Sequence, residues 1–130
     1  MVWEPSDAEI EAVSKLAGVE RYSYFIKKVT DENRVWSLWK DDWVLVCDEA
    51  GREMIPVWPH KKYAEQSATG MWEDHFAKEI DLNELIDRWL PGIVKDNRLL
   101  AIFPNISDRG VVVDSIELAS DIENEMSRYI

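Results

Sequence analysis

The chain of 130 residues has the length of one domain, and 46% of its residues are hydrophobic, enough to exclude intrinsic disorder. Fifteen Lys and Arg against twenty-six Asp and Glu leave a formal charge of −11. That sign disfavours phosphate backbones and anionic membranes as partners, since both select a basic face. A single cysteine, Cys47, rules out an intramolecular disulfide framework.

Ser6 with Glu9 forms a capping box ahead of Ile10, Val13, Leu16 and Ala17, and Gly18 is placed to stop this first helix. Tyr22, Phe25, Ile26 and Val29 follow the i, i+3, i+4, i+7 spacing of a second helix, expected to pack on the first as a hairpin. The period then changes. Val35 to Trp39 and Trp43 to Cys47 are β-branched and aromatic, with polar Lys40-Asp41-Asp42 between them, which predicts two strands. Glu53 to Val57 gives a third, ended or confined to an edge by Pro56 and Pro59. Pro59 is suited to open a helix over His60 to Ala68, with Tyr63, Ala64 and Ala68 inward.

Met71 to Ile80 reads as a loop carrying Trp72, then a short extended piece. Asp81 and Glu84 cap a helix with the stripe Leu82, Leu85, Ile86 and Trp89, which Pro91-Gly92 should break or kink. Leu99 to Phe103 and Val111 to Val113 predict a hairpin of buried strands around a loop with Asn105, Ser107, Asp108 and Gly110. Asp114 and Glu117 start a last helix whose expected inner face is Ile116, Ala119, Ile122, Met126 and Ile130. The order ααβββα(β)αββα predicts one α+β domain over residues 1–130: an antiparallel sheet of about five strands with helices mainly on one face.

Chemistry-bearing patterns are sparse. His60 and His75 stand fifteen residues apart, with no C-x-x-C or H-x-x-x-H spacing, so no metal site is expected. The five glycines form neither phosphate-binding pattern, and no cofactor is expected. Cys47, read as buried in an apolar strand beside Asp48, is expected to be inert. Met1-Val2-Trp3-Glu4-Pro5 has no signal-peptide pattern, and the longest apolar runs are strand-sized, so a cytoplasmic location away from membranes is expected.

Seven tryptophans are the unusual feature. Each buries about 150–250 Å² and asks for a partner for its indole N–H. Trp36 and Trp39 fall on opposite faces of their strand, so a sheet covered on one side leaves one of them exposed to grip another molecule.

Trp36-Ser37-Leu38-Trp39, Trp43 and above all Pro56-Val57-Trp58-Pro59-His60-Lys61, with Tyr63-Ala64, carry a resemblance that Trp89-Leu90-Pro91-Gly92, Phe103-Pro104 and Gly110 to Val113 extend. On these residues the chain resembles the domain-of-unknown-function family 2750, from about Arg21 to the final helix. The resemblance implies a short bacterial cytoplasmic protein and assigns no catalytic residues. Two readings stand open. One is a non-enzymatic acidic protein-interaction domain, immunity-type in its most specific form, masking a basic partner; a homodimer is another arrangement it allows. The other is a small-molecule-binding domain or minor enzyme with a cleft near Trp58, His60, Lys61 and Trp72. The candidate contact residues are Trp36, Trp39, Trp58, His60, Lys61 and Trp72.

Overall fold

The computed structural model describes residues 3–105 and 110–128. Ser107 and Asp108 of the expected loop, and Ile130 of the expected last helix, lie outside them. The described chain is α+β, as its pattern predicts. It runs through α1 (Asp7–Ser14), α2 (Gly18–Glu32), β1 (Arg34–Lys40), β2 (Asp42–Trp43), β3 (Val46–Cys47), β4 (Glu53–Val57) and α3 (Lys61–Gln66). After a 3-10 turn at Gly70–Trp72 come β5 (Phe76–Asp81), α4 (Leu82–Glu84), a π-helical turn at Leu85–Trp89 and α5 (Leu90–Lys95). The described part closes with β6 (Leu99–Ile102), β7 (Val111–Val113) and α6 (Ser115–Ser127).

The seven strands form two sheets, ordered β2-β1-β5 and β3-β4-β6-β7. All pairs are antiparallel except β4 with β6, which run parallel with Met54 opposite Leu99 and Val57 opposite Ile102. The sheets meet at one isolated bridge. Trp36 N–H donates to the Trp58 carbonyl at 2.9 Å, and Trp58 N–H returns to the Trp36 carbonyl at 2.8 Å. Beside it the buried Ser37 hydroxyl donates to the Pro56 carbonyl at 2.7 Å. This explains how Pro56 sits inside the molecule instead of along an edge. Val57 turns its carbonyl to β6, where Phe103 N–H donates to it, so by alternation Pro56 faces the seam. There the pairing of β3 with β4 has already ended, at Val46 opposite Met54, and no ladder bond requires a proline N–H.

The predicted strand Trp43 to Cys47 is split for the same reason. Trp43 pairs with Trp39 in one sheet, Cys47 with Glu53 in the other, and Val44-Leu45 carries the chain across. Cys47 is therefore exposed, not buried. Three further boundaries differ from expectation. Gly18 opens α2 instead of closing α1. Pro59 precedes α3, and His60 caps it. The helix after Asp81 continues through Pro91, because the chain widens into a π turn whose last N–H, from Leu90, reaches back to Leu85.

Core residues come from every layer: Phe25 and Val29 of α2, Leu38 of β1, Leu100 and Ile102 of β6, and Leu118 and Ile122 of α6 are fully buried. The most buried residues of α6 are Ser115, Leu118, Ile122 and Glu125; of the predicted inner face, Ile122 is buried and Ala119 and Met126 pack against the core, while Ile116 is 75% exposed. Arg21, 1% exposed, is the buried cation that hydrophobic periodicity missed. No helix among the described residues is long and apolar enough to cross a membrane.

Ser37→Ala leaves the Pro56 carbonyl unpaired in a buried seam and is expected to cost about 1–3 kcal/mol in chemical denaturation. A loss within about 0.5 kcal/mol, the scatter of surface substitutions, would show that this bond does not hold the sheets together.

Candidate functional site

Because β4 and β6 are parallel, their carboxyl ends open at the same edge. From β4 the chain runs Trp58-Pro59-His60 into α3; from β6 it runs Phe103-Pro104-Asn105. The Trp58 indole, fully buried, ties the two exits by donating from Nε1 to the Pro104 carbonyl at 2.9 Å. Phe103 holds φ at +54°, an uncommon conformation for an aromatic residue. Three features fix it there. Its N–H donates to Val57, Arg21 Nε donates to its carbonyl at 3.1 Å, and the backbone of Gly110 packs close behind. A Cβ at Gly110, itself at φ +72°, would lie 2.0 Å from the Ile102 carbonyl oxygen, so only glycine fits.

The Phe103 ring lies 4.8 Å from that of Tyr63 on α3. A hydroxyl chain leads away from Tyr63: its oxygen is 2.8 Å from that of Tyr24, which donates to Glu9 at 2.6 Å. With the Tyr24 proton committed to a carboxylate, Tyr63 donates to Tyr24 and keeps an acceptor lone pair. Burial pushes the Tyr63 phenol up to about 12, so it stays neutral at physiological pH. Tyr63, Phe103, Pro104 and Asn105 line an open cleft of about 350 Å³ with Ser14, Gln66 and Ser67.

His60, 7% exposed, accepts the Lys62 N–H at Nδ1 (3.1 Å), so its proton belongs on Nε2. Trp3 and Trp36 pack against its ring at centroid distances of 5.2 and 6.1 Å, and the Lys28 ammonium lies 4.6 Å from the centre of the Trp3 ring. Burial holds the imidazole below its ordinary pKa; Glu4 opposes this shift, while Lys62 and Lys61 add to it. Trp36, Trp58 and His60 therefore share one region. Lys61 points to solvent at the start of α3, and Trp72 is half-buried in the 3-10 turn, with no ring stacked on it among the described residues.

A second aromatic array lies on the other sheet. Trp43, Trp39 and Phe76 are in direct register across β2, β1 and β5, which places their side chains on one face. Trp39 and Trp43 meet edge-on at 4.9 Å, Trp43 and Trp89 at 4.6 Å, and the Lys78 ammonium lies 4.1 Å from the Trp39 ring centre. Trp89 reaches this wall from the π turn. Phe76 is 56% and Leu45 38% exposed, and Trp43 and Trp89 line a cleft of about 400 Å³ with Arg88, Arg98, Asp42 and Asp96. Trp43 and Trp89 are absent from the sequence-based contact residues; the period-3.6 stripe containing Trp89 reads as core. No tryptophan falls among the exposed large hydrophobics, contrary to the expectation that the sheet would leave one uncovered. Only Trp58 is fully buried; the other six are half-covered, with neighbouring rings and lysines supplying much of that cover at Trp3, Trp39 and Trp43.

Among the described residues no group of three or more His, Cys, Asp or Glu is placed to hold a metal ion. These features define a small acidic α+β domain with aromatic surfaces at both sheets. A family model described as a protein of unknown function (DUF2750) matches residues 22–122, and the chain belongs to that family. No curated protein and no solved structure matches it.

The depressed pKa of His60 has a definite sign. As pH falls through about 6.5, its ordinary value, the unfolded chain takes up the proton before the folded one. The stability due to a neutral His60 is thus complete above pH about 6.5 and drains away as pH drops toward the lower folded value. His60→Asn retains a capping acceptor without titrating. Urea denaturation from pH 8 to 5 is expected to show a steeper loss for the wild type than for His60→Asn; parallel profiles would contradict a buried neutral imidazole.

Proposed function

We propose that the protein is a non-enzymatic interaction domain that grips a partner protein on the wall formed by Trp39, Trp43 and Trp89. The observation that carries this reading is the continuity of the wall: four rings and Leu45 lie side by side, partly wet, instead of being scattered or sealed inside. Half-exposed aromatics at a contiguous patch are the usual anchors of interfaces, which concentrate their energy in a few tryptophans, tyrosines and arginines. Edge-stacking fixes the indoles before a partner arrives, so less side-chain entropy is lost on binding.

The charge of −11 favours a basic partner, because like charges repel and opposite ones speed encounter. Locally, Arg98 is engaged by Glu53 and Asp96, and the exposed Asp41 and Asp42 stand at the turn beside Trp43. In its most specific form this is an immunity-type role in the bacterial cytoplasm, masking a basic protein.

Affinity capture from a bacterial lysate tests the reading, comparing the wild type with Leu45→Ser/Phe76→Ser, whose side chains are exposed and whose loss spares the core. At about 50 mM salt, where the Debye length exceeds 10 Å, a basic protein is expected on the wild type. It should fall about tenfold on the double variant and again at about 0.5 M salt. Capture of no basic protein, or equal capture by both forms, would overturn it.

A further inference from the structure

We propose that Tyr24 and Lys28 of α2, with His60 and Lys62 at the start of α3, form a docking surface for a partner protein's segment in which a tryptophan precedes an acidic residue. In this chain Trp3-Glu4-Pro5 occupies that surface and masks it in cis. The site is separate from the tryptophan wall and does not depend on the interaction reading.

The resident segment displays the chemistry that the surface selects. The Trp3 ring rests edge-on against Tyr24 and His60, at centroid distances of 6.3 and 5.2 Å. The Lys28 ammonium stands 4.6 Å from the centre of the Trp3 ring and 5.6 Å from that of Tyr24. One residue on, Glu4 pairs with the Lys62 ammonium at 3.4 Å, and that ammonium donates to the Pro5 carbonyl at 3.3 Å. Lys28 and Lys62 are half-buried, whereas every other lysine is exposed. An ammonium drawn out of water needs an anion, a carbonyl or a ring face in exchange, and Trp3-Glu4-Pro5 supplies all three. Lys61, exposed near the same imidazole, adds a third positive charge. The carboxylates on the receiving side are Glu32, near His60, and Glu9, bound to the Tyr24 hydroxyl. Three lysines against two carboxylates make this surface locally positive on a domain of charge −11, so it favours an acidic segment.

Two features set the segment apart from the frame that holds it. Among the described residues Trp3, Glu4 and Pro5 make no backbone–backbone hydrogen bond. A segment held through side chains opens at lower cost than a paired strand or a helix. The receiving side chains also lie within residues 22–122, the span of the family match, and Trp3-Glu4-Pro5 lies before it. A tethered segment competes at an effective concentration in the millimolar range. An outside segment therefore binds only as the cis copy is weakened or outcompeted.

The probe is the tetrapeptide acetyl-Trp-Glu-Pro-Ser-amide, titrated into the ¹⁵N-labelled full chain at about 50 mM salt and followed by amide NMR shifts. Trp3→Ala unmasks the surface and is expected to bind the probe about tenfold more tightly than the wild type, with shifts at Tyr24, Lys28, His60 and Lys62. Glu4→Lys, at an exposed position that spares the fold, loosens the same hold and should gain severalfold. On Trp3→Ala, acetyl-Ala-Glu-Pro-Ser-amide should bind about tenfold more weakly, and acetyl-Trp-Lys-Pro-Ser-amide severalfold more weakly. Trp3→Ala/Lys62→Glu should reverse the order of the glutamate and lysine peptides, which a purely structural contact would not do. The indole resonances of Trp39, Trp43 and Trp89 should stay in place whether or not a partner is captured on the wall, so the two readings fail separately. Equal affinity of the wild type and both unmasking variants, no shifts at millimolar probe, or an unchanged peptide order after Lys62→Glu would each overturn the proposal. A wild-type dimer in sedimentation, showing the same shifts, would give the surface to a second copy and overturn it too.

Discussion

Two backbone hydrogen bonds between Trp36 and Trp58 join sheets that, among the described residues, share no other ladder. A pair of such bonds contributes only about 1–3 kcal/mol net. Full burial of the Trp58 indole, at about 25 cal/mol per Å² over 150–250 Å², contributes about 4–6 kcal/mol. The burial supplies more of the energy, but it is conditional on the bonds: an indole sealed beside unpaired amides would forfeit much of its gain. Ser37 and Pro56 make the junction workable, one by supplying a hydroxyl donor and the other by needing no ladder partner for a missing N–H.

The seam sorts the aromatic residues into two populations. Around it, Trp36, Trp58, His60, Tyr63 and Phe103 are held by backbone pairing, a cap, an indole bond and a strained dihedral, so they are fixed in place, and of these Tyr63 and Phe103 border the cleft. Farther out, Trp39, Trp43 and Trp89 are fixed by one another and by Lys78, with faces left toward solvent. The rings are thus rigid and largely buried near the seam, and self-supporting and partly exposed beyond it, where Lys78, Arg88 and Arg98 stand with Asp42 and Asp96.

Much of this was legible in the residues. Capping boxes located α4 and α6, periodicity located α2, and the switch to β-branched and aromatic residues located β1 and β4. The failures have physical causes. Period-2 reading sees a continuous strand from Trp43 to Cys47 because both halves pair; it cannot see that their partners belong to different sheets. Pro91 predicts a break only if the helix keeps i−4 bonding, and a π turn removes that condition. Arg21 hides in a helical pattern because its role, bonding the Phe103 and Leu16 carbonyls, is set by tertiary structure. The resemblance to the family drew attention to Val57 to His60 and Phe103-Pro104, but not to the parallel pairing that brings them together. The wall was half legible: Trp39 was named, while Trp43 and Trp89 needed the β1–β2 register and the π turn.

The division of the tryptophans is the claim on which the wall's part in recognition rests, and indole N–H exchange in heavy water measures it ring by ring. Trp58 donates to Pro104 and Trp36 Nε1 is buried, so these two resonances should persist longest. Trp39, Trp43 and Trp89, whose Nε1 atoms are neither bonded within the described chain nor sealed from solvent, should exchange orders of magnitude faster. Equal protection for all five would mean that the outer rings are core, and the wall would lose its claim to bind anything.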